Sequence, residues 1–202
     1  MHHIVVYSEV HADADDLIGP LDSMEYWMEF SLTDTIAVLE RTPAVLEALL
    51  SDMPAEWVAG NEGEGTWSAI DIVGHLLHGE ERDWMERTRI ILEMGEARTF
   101  DPFDREAFRE KYADIELDEL ILKFTKQRGQ NLTELRNLKL TLEMSELSGN
   151  HPAFGKVTLK QLLSTWAVHD LSHLAQIARV MAKQYRENVG PWIEYLPILD
   201  KR

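Results

Sequence analysis

Val157-Thr158-Leu159-Lys160-Gln161-Leu162-Leu163-Ser164-Thr165-Trp166-Ala167-Val168-His169-Asp170-Leu171-Ser172-His173-Leu174-Ala175-Gln176-Ile177-Ala178-Arg179-Val180 reads as one long amphipathic helix. Thr158 followed by Gln161 is a capping-box start. Leu162, Trp166, His169, His173, Ile177 and Val180 recur at steps of three and four, the helical period. His169 and His173 therefore share the apolar face. Four residues turn a helix about 40° past one full turn and raise it about 6 Å, so both imidazoles reach one point. Two readings stay open for such a pair. Either ring is a core histidine satisfied by ordinary hydrogen bonds, or the two form a bidentate metal clamp. The clamp requires a third ligand from elsewhere in the chain.

Thr66-Trp67-Ser68-Ala69-Ile70-Asp71-Ile72-Val73-Gly74-His75-Leu76-Leu77-His78-Gly79-Glu80 holds a candidate. Ser68 with Asp71 marks a helix start, and the pattern predicts a helix to Met94 with Gly95 as its stop. Its inner stripe is Ile72, His75, Leu76 and Gly79, which puts a third histidine on an apolar face. Gly79 lies one turn beyond His75 and leaves an empty volume beside that imidazole. A glycine inside a helix costs about 1 kcal/mol against alanine, which calls for a packing or site reason. His78 is rotated off the stripe by about 60° and reads as a rim residue.

Elsewhere the signals are mostly helical. Thr33 to Leu50 holds two short helices, with Thr42 as the N-cap and Pro43 as the first residue of the second, and Pro54 closes it. Asn61 to Gly65 is a loop, and Asp101-Pro102-Phe103-Asp104 is a turn before a short helix. A long helix spans Leu117 to Leu138, with Leu120, Ile121, Phe124, Leu132, Leu135 and Leu138 inward. Gly149 to Gly155 reads as a loop in which His151 is a turn residue, its place just before the key helix leaving a pocket-lining role open. The last helix ends near Gly190, and the aromatic Pro191–Leu196 segment is expected to fold back onto the bundle. Four main helices give an all-α four-helix bundle with one long connection between the second and third. The expected organisation is a single helical-bundle domain over 33–202 and an N-terminal extension, 1–32, packed on it through Tyr26, Trp27 and Phe30, in which His2–Tyr7 is either a short strand or an extended arm. His2, His3 and His11 read as exposed residues of that arm.

Composition narrows the chemistry. The chain has 202 residues, 45% of them hydrophobic, and no cysteine. Disulfides, zinc–thiolate sites and an intrinsic cysteine nucleophile are thereby excluded. The lack of cysteine, of an apolar run that spans a bilayer and of an export signal points to a cytoplasmic protein with no membrane partner. A net charge of −16 without a basic cluster argues against nucleic-acid binding.

Thr66–Leu76, Asp101-Pro102-Phe103, His151-Pro152-Ala153-Phe154-Gly155 and His169-Asp170-Leu171-Ser172-His173-Leu174-Ala175-Gln176-Ile177 together resemble the DinB-like superfamily. That group includes proteins related to bacillithiol transferases and mycothiol-dependent maleylpyruvate isomerases. The resemblance covers roughly Thr33 to Tyr185. It implies an up-down-down-up four-helix bundle, a metal held by His75, His169 and His173, and a homodimer. Independently of the family, three inward imidazoles without cysteine form an N3 site with an open position, the layout of catalytic sites. Zinc, nickel and iron all suit imidazole.

His-Asp-Leu-Ser-His is not the His-Glu-x-x-His of zinc proteases, because Asp170 is shorter than the glutamate that chemistry needs. The resemblance implies instead a thiol transferase in which an external low-molecular-weight thiol attacks a small electrophilic substrate. A metal-dependent hydrolase and a non-catalytic metal-binding or stress-response module are the alternatives. A transferase needs a cleft beside His78 and Gly79. A hydrolase needs a carboxylate or histidine near a bound water, with Asp71, Glu80 and Asp83 as candidates. A module would seal the open position with apolar side chains. Asp170 reads as a solvated residue or as a carboxylate orienting an imidazole, and Trp67 and Trp166 as core residues, with a pocket wall as the alternative for either.

Overall fold

The structure, a computed structural model, describes residues 28–200. The strand or extended arm expected at His2–Tyr7, the histidines of the arm, Tyr26 and Trp27 lie outside the described residues. Phe30 packs partly buried against the core.

Helix α1 (Leu32–Leu39) starts on Ser31, whose hydroxyl accepts from the Asp34 amide at 3.2 Å. Helix α2 (Thr42–Leu50) follows at once, and its N-cap is Arg41 rather than Thr42. The Thr42 hydroxyl is turned inward and donates to Asp170 Oδ2 at 2.6 Å, so a buried partner outcompetes the cap. Helix α3 (Ala55–Ala59) leads to α4 (Ala69–Arg82), which opens with the expected reciprocal box between Ser68 and Asp71.

The single helix expected as far as Met94 is two. Asp83 (φ −125°, ψ −75°) separates α4 from α5 (Trp84–Glu93). The Asp83 amide still bonds Gly79 O and the Arg87 amide still bonds Asp83 O, so the axis is bent rather than ended. The bend seats the Trp84 indole against Gly79, where a Cβ would stand 3.2 Å from its Nε1. The space expected beside Gly79 is filled by that ring.

Helix α6 (Ala107–Lys111) precedes the long α7 (Leu117–Asn137), and α8 (Leu142–Ser145) leads to a β-hairpin. Strands β1 (Ser148–His151) and β2 (Gly155–Thr158) pair antiparallel where a loop was expected. Two glycines permit it. Gly155 takes the left-handed backbone (φ 68°) that closes the turn. Gly149 lies against Phe100, where a Cβ would meet ring carbon Cε1 at 2.7 Å. The Phe100 amide bonds Asn150 O at 2.9 Å and ties the hairpin to the segment before α6. Helix α9 (Leu159–Lys183) then begins at Thr158 with the capping box to Gln161.

The bundle's four members are α1 with α2, α4 with α5, α7, and α9. Its core divides into two apolar layers. One holds Leu46, Leu77, Phe124 and Ile177, and the other Leu39, Trp84, Leu132 and Trp166. On each member a polar residue sits between the two: Thr42, Glu80, Arg128 and Asp170, all buried. After α9 the chain turns through short 3-10 segments, Gly190–Tyr195 and Pro197–Leu199. Only Leu199 is anchored in the core. Trp192 and Tyr195, expected to fold back, are 69% and 76% exposed, because the short helical turns aim them away while Arg186 grips Leu199 O. No helix of the described residues is long and apolar enough to cross a membrane.

Candidate metal centre

The two capping boxes fix the phase of α4 and α9, and the apolar stripe of each helix then turns its histidines inward. His75, His169 and His173 meet there. His169 Nε2 lies 3.2 Å from His75 Nε2 and 3.1 Å from His173 Nε2. Nitrogens bound to zinc at about 2.0–2.1 Å in tetrahedral array stand about 3.3 Å apart, so the spacing suits one ion.

Hydrogen bonding alone does not satisfy this cluster. His173 Nδ1 is 2.8 Å from Gln176 Oε1, an acceptor, so the ring proton is on Nδ1 and Nε2 carries a lone pair. If His169 Nε2 donates to His173, it has no lone pair left for His75, and if it accepts from His75 it faces His173 lone pair to lone pair. A cation satisfies all three nitrogens at once. Two further atoms, Nδ1 of His75 and of His169, are buried with no hydrogen-bond partner among the described residues.

Burial is the main force on the protonation of these rings. It lowers His75 to about 4, with a further push from His173. It lowers His169 to about 2, again assisted by His173 and His75. His173 is lowered for the same first reason, against the pull of the Gln176 bond. All three are therefore neutral near pH 7, the form that binds metal. Aromatic rings hold them in place. Trp67 lies 4.7 Å from His75 and stacks at 6.0 Å on His173. Trp84 meets His169 edge-on at 5.1 Å.

The three histidines open on a cavity of about 570 Å³, whose wall includes Asp83, Arg87, Phe103, Arg105 and His151. Asp83 is buried and paired with Arg87 Nε at 2.5 Å. Burial pushes its carboxyl up to about 6 against the opposing pull of Arg87. His151, at the hairpin turn, accepts from the Ala153 and Phe154 amides through Nδ1 at 3.1 and 3.2 Å. Its neutral ring must then carry the proton on Nε2. Burial lowers its pKa, as does nearby Arg87.

Other residues singled out in the sequence lie elsewhere. Asp71 is spent on the α4 cap and a 3.4 Å contact with Arg109, beside a different depression. His78 is buried rather than at a rim; it stacks on Phe103 at 4.9 Å and lines a separate cavity of about 210 Å³. Gly79 faces Trp84. Asp170 is neither solvated nor bonded to an imidazole: it is fully buried in an ion pair with Arg128. Glu80 is buried in the same network, away from the cavity wall. Trp166 is fully buried, and Trp67 packs in the core while walling the triad.

Arg105, Arg128 and Asn131 do not stand out in the sequence as site residues. Arg128 and Asn131 had a signal, since Leu120, Phe124, Arg128, Asn131 and Leu135 continue one inward stripe of α7. Arg105 lies in a connection with no period to betray it.

Residues 38–177, well over half of the chain, match the DinB superfamily model. The chain belongs to the DinB superfamily. Among solved structures, the bundle is similar to that of YfiT from Bacillus subtilis, with a TM-score of 0.66 and 21% identity over 79% of this chain and 94% of that one. YfiT is described as a probable metal-dependent hydrolase with an unusual four-helix bundle topology. At that identity the likeness to YfiT establishes the shared fold. No curated protein matches this DinB-superfamily chain.

Proposed function

We propose that the chain is a metal-dependent enzyme for small electrophiles, in which His75, His169 and His173 hold one divalent zinc, nickel or iron ion and an external low-molecular-weight thiol is the nucleophile. The convergence of three neutral Nε2 donors on the wall of an open cavity carries this reading. A divalent ion bound there lowers the pKa of a thiol or water beside it. The chain has no thiol of its own, so the thiol must come from outside.

The remaining roles follow from the cavity wall. Its volume lies within the range of about 300–1,000 Å³ typical of small-molecule sites, enough for a thiol beside an electrophile. Arg105 supplies a cation for the carboxylates that small thiols carry. Asp83, with a pKa near 6, is mostly ionised at pH 7 and suited to take a proton from the nucleophile. His151 Nε2–H suits donation to the anion that develops on the electrophile. Trp84 and Phe103 give the cavity an apolar wall.

A second reading, hydrolysis, is favoured by Asp83, because the same base serves a water molecule. Metal-loaded protein assayed with a panel of small thiols and 1-chloro-2,4-dinitrobenzene, and separately with a p-nitrophenyl ester, separates the two. Thiol-saturable conjugation that is lost in His169→Ala supports the first. Ester cleavage without thiol supports the second. Neither activity in fully loaded protein would overturn the enzymatic reading.

A further inference from the structure

One guanidinium is bonded to both helices that carry the histidines. Arg128, on α7, is 1% exposed. Its Nη1 donates to Asp170 Oδ2 at 2.6 Å and its Nη2 to Asp170 Oδ1 at 3.0 Å, a two-pronged grip on α9. The same Nη2 donates to Glu80 Oε1 at 2.8 Å, a grip on α4. Asp170 directly follows His169 and precedes His173 by three residues. Glu80 follows His75 by five. The carboxylates are held from other sides as well: Asp170 by the Thr42 hydroxyl, Glu80 by Trp166 Nε1 at 2.8 Å and Asn131 Nδ2 at 2.9 Å.

Stability alone does not account for such a network. Removing two carboxylates and a guanidinium from water costs about as much as their attraction returns, and a well-packed apolar layer often does as well. The best-attested use of buried polar groups is to fix register. Apolar layers lie on both sides of this network, and their attraction is non-directional, so it discriminates between registers less sharply than hydrogen bonds do. The planar fork of an arginine does not tolerate a slip of one helix along another. A slip of α4 against α9 would part His75 from His169, whose Nε2 atoms stand 3.2 Å apart.

We propose that Arg128 is a positioning residue for the metal centre, fixing the register of α4 against α9 through Glu80 and Asp170 and thereby the spacing of His75 and His169. The proposal rests on the metal reading and not on the choice of reaction. None of Arg128, Glu80 and Asp170 hydrogen-bonds a triad imidazole, so the effect runs through helix position.

The test is cobalt(II) titration of the metal-stripped full chain, followed by its visible absorption bands. Parent protein is compared with Arg128→Lys, Arg128→Met and Leu132→Ala, the last a buried apolar residue one turn along α7. Lysine keeps the charge and loses the fork, so it carries the test should the methionine variant fail to fold. Arg128→Lys is expected to bind cobalt about tenfold or more weakly, the scale of outer-sphere effects on metal sites, with displaced bands. Leu132→Ala is expected to melt earlier yet bind like the parent. Parent-like affinity and bands in both Arg128 variants would overturn the proposal alone. Equal weakening by Leu132→Ala would overturn it too, by showing a general loss of stability. A parent that binds no cobalt would overturn the metal reading and this inference with it.

Discussion

His169 sits where three constraints meet: two neighbouring Nε2 atoms, the edge of Trp84, and the helix roll set by Asp170. Its neighbourhood depends on a residue with no side chain. Gly79 gives the Trp84 indole its place, and that ring also stacks on Trp166 at 5.8 Å. Gly79→Ala gains about 1 kcal/mol of helix propensity. It also forces a Cβ to 3.2 Å from a ring wedged against Trp166, and overpacking of that kind costs about 1–3 kcal/mol. Packing should win. Thermal unfolding of the variant is expected to show a net loss of about 1 kcal/mol, and a raised melting temperature would contradict the assigned role. The inward direction of His75, His169 and His173 was legible from spacing, because each lies on an apolar stripe of period 3.6. The use of Gly79 was not, since a sequence shows that space exists but not which ring, five residues on, will enter it.

Among the elements, the β-hairpin is the least apparent from sequence and the nearest to function. Ser148-Gly149-Asn150-His151 has little strand propensity, and the pairing is imposed by contacts with Phe100 and the start of α9. Gly149 is its weak point. A Cβ there would come within 2.8 Å of both Ile91 and Phe100, which are buried. Gly149→Ala is expected to cost about 1–3 kcal/mol and to raise amide exchange along Asn150–Phe154 more than in α7; uniform protection would contradict this anchoring. Helix starts at Ser68 and Thr158 could be placed from sequence because capping boxes are local. The bend at Asp83 could not, because its cause is the tertiary fit of Trp84 into α4. Arg128 is hidden for a related reason: a charged residue on an inward stripe looks like an exception until its two carboxylates converge on it.

For the whole molecule, the buried imidazoles predict how the metal-free protein responds to acid. Their folded-state pKa values, about 4 for His75 and about 2 for His169, lie below the unfolded value near 6.5. The unfolded chain therefore takes up protons first, and stability falls as pH drops below about 6.5. Asp83, raised to about 6, works the other way between about pH 6 and 4 and offsets part of the loss; burial raises Glu80 too, which acts in the same direction. Urea titrations of metal-stripped protein should therefore show a declining midpoint from pH 7 to 5, and at least as steep a decline with metal bound, because ligated rings take up no proton in the folded state while the unfolded chain still does. A flat profile would mean that the rings are not buried neutral. The bundle was legible in the sequence because long periodic helices report their own inner faces, whereas the two-layer core with its polar seam emerges only when all four members are assembled. The proposed chemistry requires His75, His169 and His173 to hold one ion. Elemental analysis of the purified, untagged chain beside His169→Ala tests that most directly. About one equivalent of a transition metal per chain in the parent, lost in the variant, is the expected result. No metal in either after reconstitution with zinc, nickel and iron would contradict it and return His75, His169 and His173 to the core as ordinary buried side chains.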